Sequence, residues 1–96
     1  MAKIVDITEK LNFEENPKIR IKNKEIEVNS DAATMLKVMQ ITAKKTVTNT
    51  DVIKIYELLF SESERQKIEE LKLKFDGLVT LVESAISVVA GDDDTQ

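Results

Sequence analysis

The side chains able to do chemistry are few, and nearly all of them are carboxylates. Glu14 and Glu15 are adjacent, as are Glu69 and Glu70, and Asp92, Asp93 and Asp94 form a run. Acid–base catalysis needs two carboxyl groups that converge on one substrate with separated pKa values. Helix neighbours point about 100° apart, so each Glu pair reads as solvated surface. The Asp run offers hard oxygen ligands but lacks the turn glycine and closing bidentate Glu of a calcium loop, so it reads as a solubilising tail. The chain has no Cys and no His, which removes disulfides, thiolate metal sites and the commonest general base. Its two Gly cannot build a glycine-rich phosphate loop, and a Ser nucleophile would have no His base. The expectation is a non-enzyme without cofactor or metal.

With chemistry set aside, apolar surface becomes the feature to explain, and it is concentrated in Lys74 to Gly91, KFDGLVTLVESAISVVAG. At helical spacing Phe75, Leu78, Val79, Val82, Ala85, Ile86 and Val89 share one face, opposite Asp76, Thr80, Glu83, Ser84 and Ser87. Leu81 and Val88 widen the apolar arc to roughly 200°, against the ~100° a surface helix needs for one core. That surplus marks a helix that also meets a partner.

Ninety-six residues suit one domain, residues 1–91, followed by a disordered acidic tail, 92–96. Aromatic residues make up only 4% of the chain, so the core must be aliphatic. Residues 1–60 hold ten Lys/Arg and nine Asp/Glu, whereas residues 61–96 hold four and nine. This acidic second part argues against a nucleic-acid partner. No apolar run approaches the ~18 to 20 residues of a membrane span, and the N-terminal MAKIVDITEK is broken by Asp6 and Glu9 as no signal peptide is, so the expectation is a soluble cytoplasmic protein with no membrane partner.

The elements follow in order. Asp6 and Glu9 cap a helical turn or two or open an irregular arm. KIRIK and EIEV alternate with period two around Asn23-Lys24, predicting a β-hairpin over about 18–28 with Lys22 facing Glu25, Arg20 facing Glu27, Ile21 facing Ile26 and Ile19 facing Val28. Asn29, Ser30 or Asp31 caps a helix to about Lys45, with Ala32, Met35, Leu36, Met39 and Ala43 inward and Val38 and Ile41 off that face. Met35 and Met39 are read as core before plastic binding surface. Thr50-Asp51 caps a central helix to Phe60, with Val52, Ile53, Ile55, Tyr56, Leu59 and Phe60 inward and Leu58 stray. Ser61 with Glu64 matches a capping box opening a polar surface helix, whose apolar residues are Ile68 and Leu71. That helix carries four Glu against three Lys/Arg over ESERQKIEELK, the wrong sign for reading DNA. Gly91 caps the closing helix. The fold class is α+β, mainly helical: an N-terminal β-hairpin followed by a bundle of about four α-helices.

The stretch YELLFSESERQKIEELKLKFDGLVTLVESAISVV resembles the C-terminal part of tail assembly chaperones of Gram-positive siphophages and prophages. The likeness lies in Leu59-Phe60, the capped Glu-rich helix Ser61 to Leu71, Leu73-Lys74-Phe75-Asp76, and the aliphatic helix Leu78 to Val89; Ser61 stands where many relatives carry Gly. The resemblance implies a host-cytoplasmic protein that coats the phage tape measure protein, keeps it soluble while tail tube components assemble, and self-associates as a homo-oligomer. It also implies that some relatives are made in a longer frameshifted form. Val38, Ile41, Leu58, Leu81 and Val88, the apolar residues outside the expected core faces, are the candidate partner-binding residues. The alternatives are a small structural tail or head-completion subunit and an acidic protein-binding regulator.

Overall fold

The computed structural model describes residues 2–91, and the expected acidic tail lies outside them. β1 (Lys18–Ile21) and β2 (Lys24–Glu27) form a two-stranded antiparallel hairpin. Four helices follow: α1 (Ala32–Thr42), α2 (Asn49–Leu59), α3 (Glu62–Glu70) and α4 (Phe75–Val89). Ahead of the hairpin runs an arm whose regular structure, among the described residues, is a 3-10 turn over Thr8–Lys10 with Ile7 at its N-cap; Asp6 accepts the Thr8 N–H at 2.9 Å.

The hairpin register differs from the expected one by two residues. Lys18 pairs with Glu27, Ile19 with Ile26, Arg20 with Glu25 and Ile21 with Lys24, so Lys22-Asn23 makes the turn. A two-residue shift keeps every side chain on its own face, so alternation alone cannot choose between the registers. The turn and α3 choose. Lys22 takes φ +57°, the positive value that a primed turn needs at its first central position. Lys24 then reaches Glu70 at 2.7 Å, the Glu27 N–H meets the Glu64 carboxylate at 3.0 Å, and Lys67 donates to the Glu25 carbonyl at 3.2 Å. Glu64 is thereby spent on β2. The expected Ser61–Glu64 capping box does not form, and Ser61 caps α3 by backbone position without a side-chain bond.

Two caps are strong. Asp31 accepts the Thr34 N–H at 3.1 Å and opens α1. Thr48, not Thr50-Asp51, caps α2: the Asp51 N–H donates to Thr48 Oγ1 at 3.2 Å and the Thr48 N–H to Asp51 Oδ2 at 2.9 Å, a closed capping box. α1 ends at Thr42, short of Lys45, and Lys44 Nζ turns to hold both Asp51 oxygens at 2.8 and 2.9 Å. Further along, Arg65 Nη1 donates to the Phe60 carbonyl at 2.6 Å and the Glu57 carbonyl at 3.3 Å, covering acceptors that the end of α2 leaves open. Asn29 ties β2 to the same helix end, donating its N–H to the Leu59 carbonyl and its side-chain amide to the Leu58 carbonyl.

One core unites these elements. It is formed by Ile26 and Val28 after the turn, Val38 of α1, Ile55, Leu59 and Phe60 around the end of α2, Ile68 of α3, and Leu81, Val82 and Ala85 of α4. It is aliphatic apart from Phe60, against whose ring Tyr56 leans at 5.7 Å between centroids.

The helix faces need correction. α1 turns Val38 into the core with Met35 and Ile41 packed beside it, while Leu36 is 61% and Met39 58% exposed. Relative to the expected face the helix is rotated by roughly 100°. Both stripes of α1 are apolar, and the β-branched pair fits the closely packed side. On α2 Leu58 packs against the core and Ile53 faces out; on α4 Leu81 is sealed in and Phe75 is half exposed. α4 packs chiefly on α2, and its wide arc is filled largely from within the chain.

Candidate functional site

The five residues expected to grip a partner do not form a surface. Val38 and Leu81 are 1% and 4% exposed, and a side chain sealed in the core is not available for docking. Ile41 and Leu58 are half-buried against the core. Val88 is half-buried where the foot of the arm meets the end of α4. Partner binding by Val38 and Leu81 is therefore corrected to a core role.

Among the described residues, surplus apolar surface lies elsewhere, in three places. The first is the outer stripe of α1. Ala32, Leu36, Met39 and Ala43 recur at spacings of four, three and four, one helical face, and all four are exposed. Ile53 of the adjoining α2 and Val47 of the connecting loop are also open. A helix face of this kind is shaped to receive another apolar helix by ridge-into-groove packing, and its thioether adapts to unlike partners.

The second is a groove of about 540 Å³ between α2, α3 and the start of α4, lined by Tyr56, Ile68, Leu73, Phe75 and Leu78, with Glu69 and Lys72 at its rim. Leu73 and Phe75 stand half exposed over it. Burial raises the Tyr56 hydroxyl above its ordinary pKa, with the nearby Glu69 charge acting in the same direction, so this phenol stays a neutral hydrogen-bonding tip on an apolar ring. Lys72 turns the chain into the groove through φ +56°, a conformation more often given to Gly after a helix.

The third is the arm. Ile4, Val5, Ile7, Leu11 and Phe13 are 46% to 90% exposed. The foot of the arm is fixed: Asn16 donates its amide to Glu27 at 2.8 Å and accepts Ser30 Oγ at 2.8 Å, and the Pro17 carbonyl accepts the Val28 N–H at 2.9 Å. Beyond Asn16 its hydrogen bonds are local, such as the Glu14 N–H to Asn12 Oδ1 at 2.9 Å.

The carboxylates singled out for chemistry serve other ends. Glu70 pairs with Lys24, whose hydrogen bond and charge hold it below its ordinary pKa; Glu69 edges the groove, and Glu14 and Glu15 lie exposed at the foot of the arm. Asp51, the buried acid, is lowered from 3.8 to about 2 first by the Lys44 hydrogen bond and then by that from the Thr48 backbone. Its two oxygens are engaged by structure. Among the described residues no group of three or more acidic side chains gathers to hold a metal, and no helix is long and apolar enough to cross a membrane.

No protein-family model matches the chain, and no curated protein or solved structure matches it either.

Proposed function

We propose that this chain is a non-catalytic holder protein that binds an apolar, helix-forming client and keeps it soluble, and that the client is the tape measure protein of a phage tail. The carrying observation is that Leu36 and Met39 stand open on one stripe of α1 after the core is complete. The phage assignment adds the resemblance of the second half of the chain to tail assembly chaperones.

Co-expression tests it. The tape measure protein should become soluble and co-purify with the chain, and Leu36→Glu with Met39→Glu should abolish both while leaving the thermal midpoint of the chain intact. No gain in solubility with the natural chain would remove the proposal. The projecting arm favours a second reading, a structural tail or head-completion subunit, since such an arm suits permanent joints. Mass spectrometry of mature virions separates the two: a chaperone is absent from the particle and a subunit is present.

A further inference from the structure

Charge is segregated along the chain, and the open stripe of α1 lies where the sign is reversed. Residues 32–56 hold four Lys and one Asp, whereas the other residues hold ten Lys/Arg and seventeen Asp/Glu. The one acid of the basic stretch, Asp51, is buried and held by Lys44 at 2.8 and 2.9 Å. Lys37, Lys45 and Lys54 are exposed, and among the described residues none of them forms an ion pair. Each stands beside open apolar surface: Lys37 follows Leu36, Lys45 lies between Ala43 and Val47, and Lys54 follows Ile53. The exposed carboxylates Asp31 and Glu57 bound the stretch at its two ends, and Asp31 is engaged by the Thr34 N–H and hydroxyl. α1 packs chiefly on α2, so its outer face keeps this local charge.

We infer that the helix seated on the α1 stripe is an acidic amphipathic one, with carboxylates along the edges of its apolar seam, and that Lys37, Lys45 and Lys54 select it. Ala32 to Ala43 spans about 16 Å, three helical turns. A partner helix with apolar residues three and four apart covers Leu36 and Met39 over that length, and the residues flanking its seam come within reach of lysines at the edge, whose stems lie along the contact. Charge also separates this occupant from an extended anionic surface. Fields are screened over about 8 Å at physiological salt, so a short helix on α1 meets the local excess of Lys. A membrane or a nucleic acid is wider than α1 and meets the acidic remainder of the chain as well. Each exposed pair contributes a few-fold in affinity, so three together give roughly ten-fold. This selectivity rests on the reading of the α1 stripe as the seat of a client.

Two synthetic 18-residue helical peptides test it, identical in a Leu/Ala seam and differing only in polar positions that are Glu in one and Lys in the other. Their binding to the full-length chain is measured by fluorescence anisotropy. The Glu peptide should bind at least ten-fold more tightly than the Lys peptide at low salt, and the ratio should shrink as salt is raised. Lys37→Glu with Lys45→Glu and Lys54→Glu should invert the preference while circular dichroism stays that of the natural chain, and Leu36→Glu with Met39→Glu should weaken the Glu peptide at least ten-fold. Equal affinities, binding of neither peptide, a preference that survives the lysine reversal, or tighter binding to phosphatidylglycerol vesicles than to the Glu peptide would overturn the inference. The holder reading fails separately: a chain that keeps the tape measure protein soluble yet shows no preference loses only the selectivity, and one that prefers the Glu peptide yet leaves the tape measure protein insoluble loses only that client.

Discussion

At the scale of single residues, the charged group with most to lose is Asp51. Its carboxylate accepts from Lys44 and from the Thr48 backbone, and these bonds lower its pKa in the folded chain from 3.8 to about 2. A depressed pKa means the folded state holds the charged form more strongly than the unfolded chain does. The associated stability is present above pH 4 and is lost as the pH falls toward 2. Thermal midpoints measured across that window should fall for the natural chain, and less steeply for Asp51→Asn, which starts from a lower value because the capping box and the Lys44 pair are already weakened. The apolar residues divide just as sharply. Leu81→Ala should cost about 2 to 5 kcal/mol in urea unfolding, the range for a leucine removed from a packed core. Leu36→Ala should stay within about 0.5 kcal/mol, as substitutions on an open surface do. Equal costs at the two positions would mean that α1 is turned the other way.

At the scale of elements, the joints between helices carry residues that local chemistry would not choose. Lys72 holds φ +56° at the end of α3, where Gly enters the left-handed region without a Cβ penalty. Lys72→Gly should therefore raise stability by about 1 kcal/mol. Gly77 poses the opposite case. It lies within the first turns of α4, and an added Cβ would meet the Leu73 Cβ at 3.7 Å, an ordinary contact. Gly77→Ala should stabilise by about 0.5 to 1 kcal/mol through helix propensity, read as a shift in the urea midpoint at constant slope. Much of the element order was legible from spacing: the hairpin, a cap for α1 among Asn29, Ser30 and Asp31, the polar α3 and Gly91 at the end of α4 follow from two- and four-residue rhythms and from known cap chemistry. Where two partners competed for one group, spacing misled. Glu64 had the position for a capping box and went instead to the β2 backbone, and α1, expected to run to about Lys45, stops at Thr42 while Lys44 turns to Asp51.

At the scale of the whole molecule, the arm stands apart from the core. The core cluster begins at Ile26, with Ile19 and Ile21 packed against it, and includes no residue from the arm. Removing residues 2–12 should therefore leave the thermal midpoint of the monomer within a few degrees of its natural value while it alters solubility and self-association. A large loss of stability on removal would show that the arm folds onto its own body.

The linear order of residues was sufficient for the α+β class, the hairpin and four helices, because periodicity and caps are local properties that each segment carries with it. It could not say which surface is left over. α1 carries two apolar stripes, and only the packing of Val38 against the other elements determined that Leu36 and Met39 face outward. α4 looked too wide for its own molecule, but α2 covers much of its arc and encloses Leu81, while the groove at Phe75 stays open. Burial is a property of the assembled elements, and no helix can specify alone which of its faces the others will cover.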